Sequence, residues 1–167
     1  RELEVPTIAA INGHAIGAGL CVALACDLRY AAAGAIMSVP FTALGMHSGM
    51  AATYLLPEVV GISAARELLL TGRRIDADEA LRLGLVNGVH ASEDLLATTI
   101  DVAEQIAGNG PIAIRLTVAG LRGGGPRSVD EALAYESLAQ PITFASADLT
   151  EGIAAAKERR RPHFSGA

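Results

Sequence analysis

A glycine-rich segment near the start of the chain has the spacing of a turn that binds negative charge. Gly13, Gly17 and Gly19 stand between an apolar run that ends at Ile11 and a second apolar run that begins at Leu20. Glycine lets the backbone approach a ligand closely, and a helix starting here would offer unpaired amides and a partial positive charge. The segment therefore predicts an oxyanion site, although many such turns only connect a strand to a helix.

The glycine spacing argues against two classes of nucleotide-binding loop. No Lys-Ser or Lys-Thr pair follows Gly19, as a phosphate-binding loop would require. Gly13, Gly17 and Gly19 are four and two residues apart, which is not the two-and-three spacing of a dinucleotide-binding turn. Neither class of loop is indicated.

Reactive side chains follow the glycines. Cys21 lies in the first turn of the predicted helix, a position where helix dipoles lower thiol pKa values and favour a nucleophile. A free cysteine in a buried helix is also an ordinary small apolar residue. His47 stands beside Ser48 in a glycine-bounded loop and is a candidate general acid or base, because imidazole titrates near neutral pH. A loop histidine bonded to backbone or solvent is the alternative.

Composition limits the classes of function. The 167 residues suit one domain with a sizeable core, and the formal net charge of −5 argues against nonspecific nucleic-acid binding. No apolar run is long enough to cross a bilayer, so no membrane association is expected. Cys21 and Cys26 lie five residues apart, in and directly after one predicted helix, which does not suit a disulfide and favours the cytoplasm. No cluster of His, Cys and Asp has metal-ligand spacing, so no metal is expected.

The elements that must position these residues are read from apolar patterning. Strands apolar on both faces indicate a covered parallel sheet. Strands are predicted at 5–11, 28–32, 36–39 and 85–89, and helices at 20–25, 51–60 with a possible break at Pro57, 62–71, 76–83, 92–107, from 111, 128–140 and 147–160. Ala15 and Ile16 are assigned to the turn, and a break is predicted at 121–126. We therefore expect an α/β core in residues 1–110 and a helical region in residues 111–167. Because Arg1–Val5 runs almost directly into a strand, we also expect the later part of a longer protein.

Several motifs, in order along essentially the whole chain, resemble the crotonase superfamily, the enoyl-CoA hydratase/isomerase group. They are Asn-Gly-x-Ala-x-Gly-x-Gly at 12–19, Asp27, Gly72 before Arg-Arg-Ile-Asp-Ala, Ala80 with Gly84-Leu85-Val86, and Glu151-Gly152 with a basic Arg-Pro-x-Phe tail. The resemblance implies a spiral of ββα units with a C-terminal helical region used in trimer assembly, and hence a homo-trimer or hexamer. It also implies a lyase or isomerase of fatty acid metabolism. The substrate would be an acyl-CoA, with coenzyme A as part of the substrate and no separate cofactor.

The resemblance also assigns roles to the glycine segment. Family members hold the thioester oxygen with two backbone amides, and one of them belongs to the middle residue of Gly-x-Gly, which is Ala18 here. Gly17 and Gly19 would shape the turn around the substrate. The second amide usually lies in an earlier Ala-Gly-x-Asp loop that also contacts the CoA adenine, and this sequence contains no such segment.

The sequence departs from the family at the positions of two glutamates that hold water and move a proton in hydratases. Those positions are Cys21 and Phe41, the latter following Pro40. Ordinary crotonyl-CoA hydration is therefore not expected. Altered hydration or isomerisation, and thioester or β-diketone hydrolysis, stay open. The rival interpretation is a non-catalytic acyl-CoA-binding protein.

Two further regions acquire roles from the resemblance. The loop with His47 and Ser48 matches one that borders the acyl pocket, where the family usually has proline in place of Ser48. Phe41 and Ser48 are thus candidate substrate contacts. Arg159 aligns with a lysine that family members place near the CoA phosphates, and a charged helix end without a ligand is the alternative.

Overall fold

A computed structural model describes residues 3–122 and 128–167 of the chain. Two compact units are present: a core unit, Thr7–Asp101, and a helical unit, which contains Val102–Ala167 and the described residues before Thr7. Most of the break predicted at 121–126 lies outside the described residues. The division of the chain at residues 110 and 111 stays a prediction.

The core unit contains two three-stranded sheets. The first is parallel throughout and consists, in spatial order, of β1 (Ile8–Ile11), β3 (Leu28–Ala32) and β6 (Gly88–His90). The second consists, in spatial order, of β2 (Ala15–Ile16), β4 (Ile36–Ser38) and β5 (Ile75–Asp76). Strands β2 and β4 are parallel, whereas β4 and β5 are antiparallel.

Two successive ββα units give the core unit a structural repeat. The first runs through β1, β2 and helix α1 (Ala18–Ala25), and the second through β3, β4 and helix α2 (Ala52–Thr71). Strand β1 pairs with β3 in one sheet, and β2 pairs with β4 in the other. Each strand of the first unit therefore lies beside its counterpart in the second, which is the order that a spiral of ββα units requires.

Several strand predictions need correction, and the first of them is the strand predicted at 5–11, which begins only at Ile8. Ala15 and Ile16, assigned to a turn, form the two-residue strand β2, because Met37 and Ser38 on β4 supply their pairing partners. The strand predicted at 85–89 is wrong in its bounds. Leu85 and Val86 are buried core residues before the strand, and pairing with β3 begins only at Gly88.

Helix α2 is divided by Gly61, whose φ of 74° and ψ of 162° are not helical. The predicted helices at 51–60 and 62–71 are separated at this residue, so the structure confirms the division. The possible break at Pro57 is wrong, because the helix continues through that residue. Proline removes one amide donor but has a φ close to that of a helix.

The other helices are α3 (Ala77–Arg82), α4 (Leu95–Ala107), α5 (Pro111–Leu121), α6 (Val129–Phe144) and α7 (Ala147–Glu158). The predicted N-cap of α3 is confirmed, since Asp76 Oδ1 accepts from the Glu79 amide at 2.7 Å. Helix α6 continues four residues beyond the predicted end, through Pro141. Helix α7 ends at Glu158 because Arg159 takes a left-handed conformation with φ 55°.

The buried residues of the core unit are mainly aliphatic, and one face of α1 packs among them. The largest fully buried side chains of this unit are Leu20, Leu24, Met37, Leu56, Leu85 and Leu95. Full burial of one such side chain is worth about 1.5–3 kcal/mol. Burial of α1 thus fixes the helix whose first turn carries the candidate oxyanion site.

Candidate active site

Gly17 joins β2 to α1 in a conformation that strains any residue with a Cβ. Its φ is 56° and its ψ is −116°. The Gly17 amide donates to the Ser38 carbonyl oxygen at 2.8 Å, and the Gly17 carbonyl oxygen accepts from the Cys21 amide at 3.1 Å. Both backbone groups of Gly17 are therefore used within the fold, and they fix how α1 begins.

The first turn of α1 begins with two exposed residues. Ala18 and Gly19 are exposed, and within the described residues no side chain caps this helix. The helix itself supplies no carbonyl acceptor for its first amides, and its dipole adds partial positive charge there. The glycine turn (Gly17–Gly19) can thus donate hydrogen bonds to a negatively charged oxygen.

Cys21 lies beneath this turn and is 1% exposed. Its Sγ contacts the Gly49 carbonyl oxygen at 3.9 Å. Burial raises the pKa of the Cys21 thiol, and a backbone hydrogen bond lowers it by less. A raised pKa disfavours the thiolate that a nucleophile needs, so the geometry favours the alternative role of a small core residue.

Phe41 forms a half-buried wall beside the glycine turn. It precedes a short 3₁₀ helix, Thr42–Leu44, and packs against the hydrophobic core. A Cβ placed on Gly17 would lie 3.8 Å from Cζ of the Phe41 ring. The structure therefore brings together Gly17 and Phe41, two residues that the sequence predicts to share a site.

Hydrogen bonds to the C-terminal end of α2 hold the Phe41 segment in place. Ser38 Oγ donates to the Gly72 carbonyl oxygen at 2.9 Å, and Thr42 Oγ1 donates to the Leu69 carbonyl oxygen at 2.8 Å. No sequence motif marks these two hydroxyl groups. The signal for Ser38 was a single polar residue in an apolar strand, but its partner is 34 residues away.

The histidine loop (Gly45–Ala51) runs from this segment to α2. His47 is exposed, whereas Ser48 is buried. Met50 and Ala51 both have left-handed backbones, with φ of 51° and 56°. Such conformations cost side-chain-bearing residues free energy and concentrate at functional sites. Because Gly49 contacts Cys21, this loop reaches α1 one residue after Ser48.

The basic residues at the end of α7 differ in their contacts. Arg160 binds Glu151 Oε2 at 2.9 Å and Glu158 Oε2 at 2.6 Å. The Arg160 guanidinium and then the His163 amide lower the pKa of Glu151 to about 2. The exposed Arg159 side chain has no hydrogen bond or ion pair with the described residues. Arg160 is thus part of the fold, whereas Arg159 is available to a ligand.

Both cysteines are free thiols. Across residues 3–122 and 128–167, no group of three or more His, Cys, Asp or Glu side chains is arranged to hold a metal ion. None of the described helices has the length and apolar character needed to cross a membrane.

The whole chain, residues 1–167, matches the sequence model of the enoyl-CoA hydratase/isomerase family. A crotonyl-CoA hydratase of Syntrophomonas wolfei is 40% identical over 164 residues, which are 98% of this chain and 63% of the relative. A short-chain-enoyl-CoA hydratase of Clostridium acetobutylicum is 38% identical over 159 residues, which are 95% of this chain and 61% of the relative.

The fold is also similar to those of solved enoyl-CoA hydratase structures. An enoyl-CoA hydratase from Bacillus anthracis superposes with a TM-score of 0.96 at 40% identity, covering 99% of this chain and 64% of that one. The chain therefore spans less than two thirds of the length of these relatives. The superposition confirms the predicted crotonase-like α/β fold. The chain belongs to the enoyl-CoA hydratase/isomerase family.

Proposed function

We propose that this chain binds the thioester of an acyl-CoA and stabilises negative charge on the thioester oxygen. The glycine turn carries the proposal. The Gly17 amide is held by the Ser38 carbonyl oxygen, whereas Ala18 is exposed at the first position of α1. Family membership supplies the ligand class, since the family and these relatives are named for enoyl-CoA chemistry.

In this proposal the Ala18 amide is the oxyanion donor, and Gly17 and Gly19 shape the turn. An enolate or tetrahedral intermediate places charge on the former carbonyl oxygen. A fixed amide stabilises that charge more than it stabilises the neutral ground state, and removing one such donor typically costs about 10²–10³ in kcat. A backbone donor does not depend on the identity of the side chain, so alanine serves as well as glycine.

The side chains around the turn set the chemistry that follows. Cys21 and Phe41 stand where we expect glutamates in hydratases of this family, and neither can hold water and move a proton as a carboxylate does. His47 is the proposed general acid or base. Phe41 and Ser48 are the proposed contacts of the acyl group. Cys21 packs beneath the turn, in keeping with its burial.

These roles fit hydration or isomerisation in an altered form, or hydrolysis of a thioester or β-diketone. Non-catalytic binding of acyl-CoA is the second candidate. It is favoured by one observation, the lack of a carboxylate at both Cys21 and Phe41.

The proposal extends to coenzyme A and to assembly. Arg159 would pair with a CoA phosphate, and CoA would enter only as part of the substrate. A homo-trimer or hexamer would form through the helical unit. Leu133, Leu138 and Ile142 of α6 are 57%, 73% and 52% exposed, which is consistent with an assembled state. The proposed location is the cytoplasm.

The test is incubation of the full natural protein with crotonyl-CoA and mass analysis of the products. Unchanged crotonyl-CoA together with measurable affinity, read by calorimetry, is the expected result. A CoA thioester heavier by one water would show that hydration proceeds without the two glutamates, and would contradict the expectation that crotonyl-CoA is not hydrated. Absence of any affinity for acyl-CoA would contradict the proposal as a whole.

A further inference from the structure

Ser38 contacts the two elements that border the proposed site. It is the last residue of β4 and is 4% exposed. Its carbonyl oxygen accepts from the Gly17 amide at 2.8 Å, and its Oγ donates to the Gly72 carbonyl oxygen at 2.9 Å. One residue thus joins the start of α1 to the end of α2.

The Ser38 hydroxyl donates to a carbonyl group at the end of α2 that has no partner within the helix. Gly72 caps α2 with a left-handed φ of 63°. The last carbonyl groups of a helix have no partners within it. Without the hydroxyl, the Gly72 carbonyl would lose a partner, and the end of β4 would lose its side-chain attachment to α2.

The same stretch of chain returns to Gly17 through Phe41. A Cβ on Gly72 would lie 3.1 Å from Pro40 Cα, so the chain after Ser38 passes tightly over the end of α2. The Phe41 ring then reaches the glycine turn. Displacement of Ser38 would therefore move the Gly17 peptide and the Phe41 ring together.

We propose that Ser38 is a positioning residue, which fixes the direction of the Ala18 amide relative to the Phe41 wall. The inference rests on the proposed function. Ser38 acts through two groups: its carbonyl oxygen orients the peptide that precedes the donor, and its hydroxyl holds that carbonyl in place. Small displacements of a donor from the developing oxyanion have large effects on its stabilisation.

Thr42 offers a matched control. Its hydroxyl also donates to a carbonyl oxygen near the end of α2, that of Leu69, at 2.8 Å. The Thr42 hydroxyl bond is exposed to solvent. Thr42 makes no bond to Gly17, whose amide donates to the Ser38 carbonyl oxygen. Ser38→Ala and Thr42→Val therefore remove similar bonds to the same helix, but only the first disturbs the support of the glycine turn.

The experiment uses the full natural protein and two thioesters. Acetoacetyl-CoA forms an enolate, whose near-ultraviolet absorption reports charge on the oxygen, whereas butyryl-CoA is saturated and reports binding alone. We expect Ser38→Ala to lower the bound enolate-to-keto ratio about tenfold and to leave butyryl-CoA affinity within about twofold. Thr42→Val should leave the enolate-to-keto ratio unchanged, because the Thr42 hydroxyl does not support the Gly17 peptide. Equal enolate ratios in Ser38→Ala and the wild type would overturn the role of Ser38.

A second variant covers loss of folding, which thermal melting would reveal. Ser38→Cys is nearly isosteric and keeps a weaker donor, so an intermediate enolate ratio is expected. A wild-type ratio in Ser38→Cys would overturn the inference even if Ser38→Ala does not fold. No affinity of the wild type for either thioester would overturn the proposed function, and the role of Ser38 with it. Binding of both thioesters by the wild type, together with a larger fall of the enolate ratio in Ser38→Ala than in Thr42→Val, supports both the proposed function and the role of Ser38.

Discussion

Helices α1 and α7 begin in opposite ways. At α7, Ser146 caps the helix, Asp148 stands in the first turn, and the Ala147 amide donates to the Ala167 carbonyl oxygen at 2.7 Å. At α1, the cap is Gly17, and the first turn has no acidic residue. Two of the first amides of α7 are thus bonded within the chain, whereas no described residue accepts from the amides of Ala18 and Gly19.

The difference separates a structural helix end from one suited to a ligand. Asp148 is 6% exposed and accepts from the Ser165 amide at 2.7 Å and the Gly166 amide at 3.0 Å. The end of α7 therefore binds the C-terminal tail, and its polar groups contribute to folding. The start of α1 has no such polar contacts to stabilise the fold, as expected of a preorganised binding site.

Removing the donor at the α1 end should have the largest effect. Ala18→Pro deletes the amide at the first helical position, where proline is otherwise tolerated. We expect enolate formation from acetoacetyl-CoA to fall about 10²–10³-fold with helix content unchanged, measured by absorbance and circular dichroism. Ala18→Gly keeps the amide and is the matched comparison. An undiminished enolate in Ala18→Pro would place the donor elsewhere.

Weakening the contacts between Asp148 and the C-terminal tail should lower the free energy of unfolding and leave the enolate ratio unaffected. Asp148→Asn replaces an acceptor of tail amides with a group that is partly a donor. We expect the free energy of unfolding in urea to fall by about 1–3 kcal/mol, while the enolate ratio is unchanged. Asp130 stands exposed in the first turn of α6, so Asp130→Asn is the control, with a change within about 0.5 kcal/mol. Similar losses in the two variants would contradict a special role for the tail contacts.

Giving α1 an acidic first turn should make it resemble α7. A Cβ on Gly19 would meet nothing within 4 Å, so Gly19→Asp fits without a clash. We expect the free energy of unfolding to rise by about 1 kcal/mol. The carboxylate interacts favourably with the partial positive charge at the start of the helix, and a residue with low helix propensity is removed. The enolate ratio should fall, since the carboxylate competes for the same amides. Gly19→Asn isolates the charge, and an equal fall in that variant would refute the electrostatic explanation.

The smallest effect should come from the Glu151 ion pair. Its pKa is lowered from 4.5 to about 2, so the folded state favours the charged form. The stabilisation is present above pH 4.5 and is lost as the pH falls towards 2. The stability difference between wild type and Glu151→Gln, from urea unfolding, should therefore shrink over that range. Glu158→Gln removes a pair with Arg160 alone and is the matched comparison. A difference that does not vary with pH would exclude this explanation.

Features set by neighbouring residues could be predicted from the sequence. Asp76 caps α3 through a residue three positions away, and Gly61 divides α2 because glycine alone adopts its backbone conformation without strain. The family motifs, which extend along the chain, predicted the crotonase-like fold. The order of the ββα units also follows from the motifs, although the two units share no visible sequence repeat.

Features that depend on distant partners could not be predicted. Strand β2 is two residues long and exists because β4 lies beside it, so its own sequence resembles a turn. The Ser38 hydroxyl has its acceptor on Gly72, and the Phe41 ring meets Gly17 only in the folded chain. The roles of Ala18, His47, Ser48 and Arg159 stay predictions, because they require a bound ligand.

The backbone pairing of β2 with β4 has a consequence for how this fold diversifies. Main-chain atoms hold Gly17 in place, and the side chains at positions 21 and 41 take no part in that bond. Substitution at either position can therefore change the side chains beside the turn while the main-chain bond that fixes Gly17 is retained. Under the proposed function, the side chains that set the reaction can thus vary independently of the turn that would bind the thioester oxygen.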